Sequence, residues 1–149
     1  MSGPVADTDA MIAGMAPRLA PGEVWVVGLS GDLPLLPGDA GVLGAVREAE
    51  GWTLWVTAAA GAAAGLAPDF RAAWITLEVY SALDGVGLTA AVATVLAGAG
   101  LPCNVIAGAR HDHVLVRPVG QRIARPPDID LAPPVFNRRL VGLLGGRFP

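Results

Sequence analysis

Trp74-Ile75-Thr76-Leu77-Glu78-Val79-Tyr80 runs into Ser81-Ala82-Leu83-Asp84-Gly85-Val86-Gly87 and then into Leu88-Thr89-Ala90-Ala91-Val92. The change of period across these junctions decides the fold. In the first segment Ile75, Leu77 and Val79 alternate with Trp74, Thr76, Glu78 and Tyr80, the two-residue period of a strand. The second is rich in turn formers. From Leu88 the apolar residues recur at Leu88, Val92, Val95 and Leu96, which is helical spacing. Asp84 is placed to cap that helix through the Gly87 amide, and Gly98 and Gly100 end it. Residues 101–107 predict a second strand, with Cys103 and Val105 opposing Asn104 and Ile106. Residues 112–117 predict a third, and the short link between them makes a hairpin.

Strand, helix, strand, strand is the front of a βαββαβ unit. A second helix and a fourth strand should follow. The chain instead continues through Pro118, Pro126, Pro127, Pro133 and Pro134, a density that forbids a long helix. Only residues 137–144 offer a helical turn or two. The unit is completed either by strands from the first half or by a second copy.

Upstream the signals are weaker. Residues 1–22 read as a leader with one amphipathic turn over 11–19. Residues 23–29 are β-rich, and 30–41 read as loop. Residues 42–48 and 52–57 predict a hairpin across Glu50-Gly51, with Trp52, Leu54 and Val56 on its buried face. Residues 58–66 are almost all Ala and Gly and fit either helix or loop. The resulting division is 1–22 leader, 23–70 first subdomain, 71–118 second subdomain, and 119–149 an irregular Pro/Arg-rich tail.

The whole chain of 149 residues is 53% apolar and 15% charged, with a net charge of −3. A chain this apolar buries a core, and its low charge points to a surface covered by a second copy. The acidic balance and the lack of a basic stripe before residue 117 exclude nucleic acid as an expected partner. Residues 1–10 carry Asp7 and Asp9 and no basic segment, so no secretory signal is expected. The apolar run 58–66 is far short of the roughly 20 residues of a membrane span. A lone cysteine, Cys103, makes no internal disulfide. A reducing, cytoplasmic setting without membrane is expected.

Quoted in order, residues 74–79, 83–92, Cys103-Asn104-Val105-Ile106-Ala107-Gly108 and His111-Asp112-His113 resemble the ACT domain-containing proteins of bacteria that carry two tandem ACT-like units. The cytosolic arginine sensors of animals are distant relatives of that group. Arg47-Glu48-Ala49-Glu50-Gly51-Trp52-Thr53-Leu54 is similar to the first unit. The resemblance covers about residues 11–117 and stops at Pro118. It implies an α+β, ferredoxin-like βαββαβ fold, paired side by side, with the C-terminal unit lacking its regular last helix and strand. It also implies a regulatory, non-catalytic module that binds a small molecule, commonly an amino acid, at the interface and assembles as a homo-oligomer.

The candidate site is Asp84, Gly85, Val86, Gly87 and Leu88, with Asn104, His111 and Asp112. A helix start offers amides and a partial positive charge to a carboxylate, and glycine lets a ligand approach the backbone. The same turn also reads as a tight connection with an Asp cap. Asn104 is disfavoured in mid-strand and either contacts ligand or satisfies nearby backbone. Asp112 either meets a ligand amine or simply forms a turn. His111 and His113 share a face, but a closed zinc site wants four ligands, so neither metal nor cofactor is expected. Ser30 and Ser81 lack a GxSxG setting, and no enzyme is expected. A ligand-free dimerisation or docking module for a metabolic enzyme is the alternative function.

Overall fold

In the computed structural model of the chain, the described residues are 3–32 and 41–117. The tail 119–149, the turn expected over 137–144 and most of the loop expected over 30–41 lie outside them. The fold is mixed α+β, and the strand pairs with a defined register are antiparallel. The chain divides into two units. One joins the residues up to Ala20 to those from Trp74 onward, and the other is Pro21–Ala73.

The inserted unit begins with β2 (Val24–Ser30), since the first strand, β1 (Pro17–Leu19), belongs to the other unit. It continues with β3 (Val42–Glu48), β4 (Gly51–Thr57), a short helix α2 (Ala58–Ala63) and the first half of β5 (Phe70–Leu77). Its strand order is β3-β4-β2-β5. The hairpin expected from the alternation of Trp52, Leu54 and Val56 is there. Its two-residue turn is Ala49-Glu50, and Gly51 closes it at φ 149°. A Cβ at Gly51 would stand 1.9 Å from the Leu29 carbonyl oxygen, so only glycine fits. The alternating face carries the core: Val27, Leu54 and Val56 are buried, with Trp25, Leu29, Val42 and Leu66 against them. The Ala/Gly run resolves as helix because the Thr57 hydroxyl accepts the Ala60 amide at 3.3 Å as N-cap. Gly61 lets α2 approach the sheet closely, since a Cβ there would be 2.5 Å from the Trp25 ring.

The other unit holds α1 (Thr8–Gly14), β1, the second half of β5, α3 (Leu88–Gly98), β6 (Asn104–Ala107) and β7 (Asp112–Val116). Its strand order is β1-β5-β7-β6. The stretch read as a leader thus supplies a helix and a strand. Asp7 caps α1 by accepting the Ala10 amide at 2.8 Å. The side chains of Met11 and Met15 are fully buried. β1 pairs with β5, Leu19 opposite Ile75 and Pro17 opposite Leu77. Every residue of the helical stripe read from the sequence, Leu88, Val92, Val95 and Leu96, is buried. Two expectations change. β5 starts at Phe70, ends at Leu77 and is buried on both faces from Ala72 to Leu77. The Glu78 amide still donates to the Ala16 carbonyl in the register of β1, and the chain leaves the strand where the Val79 amide turns back to the Leu77 carbonyl. β6 begins only at Asn104 rather than at residue 101.

Candidate functional site

The turn before α3 is built differently from its sequence reading. Asp84 is exposed and does not cap the helix; the N-cap is Gly87, in the left-handed region at φ 107°, with no side chain on the first-turn amides. The helix starts at Leu88 as its spacing predicts, but its cap lies three residues beyond Asp84, at a glycine that takes this conformation without strain. Segment 5–8 braces the turn. The Thr8 hydroxyl donates to the Val86 carbonyl, Val5 bridges to Ser81, and the Ala82 amide donates to the Val5 carbonyl at 2.9 Å. Val86 itself is 82% exposed and Leu83 69%. Gly85 sits within 3.3 Å, measured from an added Cβ, of the Met11 methyl group. Leu88 is buried and anchors the helix start.

The other candidates lie on the β6–β7 hairpin, and their geometry divides them. Asn104 opens β6, exposed, opposite Leu115. Asp112 pairs with Ala107 at the far end of β6. Ala107 lies three positions after Asn104, an odd offset, so Asn104 and Asp112 point to opposite faces of the hairpin. They are not brought together on one face.

His111, Asp112 and His113 each reach back toward residues 76–81. The Nδ1 of His111 donates to the Val79 carbonyl at 3.2 Å. The Ser81 hydroxyl donates to buried Asp112 at 3.1 Å. The Nδ1 of His113 lies 3.1 Å from the Thr76 hydroxyl, and its ring packs on Trp74 with centroids 4.8 Å apart. Burial pushes His113 below the usual histidine range; His111 pushes the same way, Asp112 opposes, and Arg18 adds to the lowering. Arg18, opposite Thr76 on β1, is paired with Glu78. Nothing in the sequence pattern puts Ser81, Thr76, Trp74 and Arg18 beside the His-Asp-His motif. No spacing rule could have found them, since each partner is more than thirty residues away along the chain.

Cys103 is half-buried, and burial pushes its thiol up, away from a reactive thiolate. Among the described residues no three His, Cys, Asp or Glu side chains gather as a metal site. No helix among them is long and apolar enough to cross a membrane.

Solved structures similar to this chain include a Vibrio cholerae protein of unknown function, VC0802, described as a possible transport protein. It is 35% identical, with a TM-score of 0.60, and the match covers 74% of this chain and 84% of that one. The Agobacterium tumefaciens protein Atu0741 shares the fold at 19% identity and a TM-score of 0.50, over 69% of this chain and 78% of its own. No protein-family model and no curated protein matches the chain.

Proposed function

The chain belongs to the same family as the Vibrio cholerae protein VC0802, and on that premise we propose that it is a regulatory module that binds a small molecule, an amino acid in the first instance. One observation carries this reading: α3 starts at a left-handed glycine with no side chain capping its first amides, beside an exposed Val86. Such amides and the positive end of an eleven-residue helix suit a carboxylate. The description of VC0802 as a possible transport protein fits the handling of a small solute.

The same reading takes each unit as ferredoxin-like and ACT-like. In the inserted unit the order β3-β4-β2-β5 is that of a split βαβ sheet, with α2 entering before its last strand. The other unit has the same order, β1-β5-β7-β6, once α1 and β1 are counted after β7. The last helix and strand of that unit are then those of residues 8–19. The module acts in the cytoplasm as a homo-oligomer and is not itself an enzyme.

Calorimetric titration with the free amino acids tests the binding. Val86→Glu places a negative charge on a position that is 82% exposed, so the fold tolerates it while the carboxylate is repelled. Binding of an amino acid by the wild type and its loss in Val86→Glu, at an unchanged melting temperature, is the expected result. No heat with any amino acid in the folded protein contradicts it.

A second reading is a ligand-free docking module. The exposure of Leu83 at 69% and Val86 at 82%, with Tyr80 at 38%, favours it. Under that reading Val86→Glu changes the assembly state, while amino acids leave stability untouched.

A further inference from the structure

We propose that His111, Asp112 and His113 form a proton-sensitive clasp that holds the β6–β7 hairpin on the chain segment 76–81. Three consecutive residues each make a side-chain bond to one short stretch: His111 to the Val79 carbonyl, Asp112 to the Ser81 hydroxyl and His113 to the Thr76 hydroxyl. Ser81 and Asp112 are buried, at 7% and 9% exposure. Their bond is made where water competes little. β7 is the strand between β5 and β6, so this clasp fastens the outer half of the sheet.

The clasp is built for a neutral imidazole at His113. Its ring is half-buried against Trp74, and a protonated ring there loses hydration. Among the described residues the charged groups around it are few. From β1 comes Arg18, already paired with Glu78 just past the end of β5. The hairpin itself brings His111, Asp112 and the exposed Arg110. Tyr80 follows β5, while α3 and β6 carry no charged residue at all. Asp112 is engaged by Ser81, and its strand position puts it on the opposite face from His113. Among the described residues, a positive charge on His113 thus meets His111 and Arg18, while Asp112, which favours that charge, lies on the other face. The open hairpin, where the imidazolium is hydrated, takes up the proton more readily than the closed one. Acid therefore opens the clasp by linkage, one proton for His113. The device works without any ligand and stands apart from binding at the α3 turn.

Amide hydrogen exchange of β7 in the full chain, corrected for intrinsic rates, between about pH 4.5 and pH 7.5 tests this. Wild-type β7 is expected to open more readily by up to about tenfold per pH unit below the usual histidine range. His113→Gln keeps a hydrogen-bonding side chain for Thr76 but does not titrate, and its β7 opening is expected to be flat over the same range. Opening that is independent of pH in the wild type, or that keeps its slope in His113→Gln, overturns the proposal. Should His113→Gln fail to fold, the His113 ring protons of the wild type decide it by NMR. A midpoint at or above the usual histidine range overturns the clasp, and a lower one supports it.

Discussion

The hydroxyl of Thr76 and the Nδ1 of His113 lie 3.1 Å apart across β5 and β7. That pair fixes how the protein should respond to acid. Because burial holds His113 below its usual range in the folded state, the unfolded chain accepts its proton first as pH falls. Stability is complete above the usual histidine range and declines below it, down to the lower folded value. Chemical denaturation at several pH values should show this decline in the wild type and a smaller one in His113→Gln.

Residues 8–19 should be indispensable to the unit that contains them. Met11 is fully buried, and Met11→Ala should cost about 2–5 kcal/mol, as core truncations do. A dispensable leader would show no change. Urea denaturation of the variant measures the difference.

Gly87 should resist substitution for two reasons. Its φ is 107°, and a Cβ would lie 2.9 Å from the Thr8 hydroxyl oxygen. Gly87→Ala should lower stability by about 1–3 kcal/mol, read as a fall in melting temperature. Pairing it with Thr8→Ala relieves the crowding but not the strained φ, so only part of the loss should return.

Gly61 sets how closely α2 approaches its sheet. An added Cβ would stand 2.5 Å from the Trp25 ring and 3.3 Å from Val56. Gly61→Ala, although better suited to a helix, should destabilise by about 1–3 kcal/mol through overpacking, with a change in tryptophan fluorescence reporting the displaced ring.

The elements legible in the sequence were those with one buried face. The β3–β4 hairpin announces itself through Trp52, Leu54 and Val56, and α3 through a stripe whose four residues are all buried. α2 was ambiguous because Ala and Gly show no stripe; its helix depends on a Thr57 cap at a strand end. β1 is three residues long, starts with Pro17 and gives no period to read. It is recognisable only by its pairing with β5. The start of β5 is not legible, since Arg71, Ala72 and Ala73 carry no alternation.

At the candidate site, local chemistry was legible and distant pairing was not. The turn before α3 shows in its glycines, but the sequence points to Asp84 as its cap because a left-handed Gly87 leaves no side-chain signal. The His-Asp-His motif stood out by residue type. Its partners Thr76, Val79 and Ser81 belong to a segment joined to it only by folding.

The most direct test of the proposed function is an NMR titration of the amides of Leu88, Thr89 and Ala90 with each free amino acid in turn. Saturable shifts at these amides are predicted for at least one amino acid, with a gain in stability of about 2.7 kcal/mol at a hundredfold excess over Kd. Amides that stay unmoved through the whole series, in a protein whose spectrum is that of a folded chain, would contradict it.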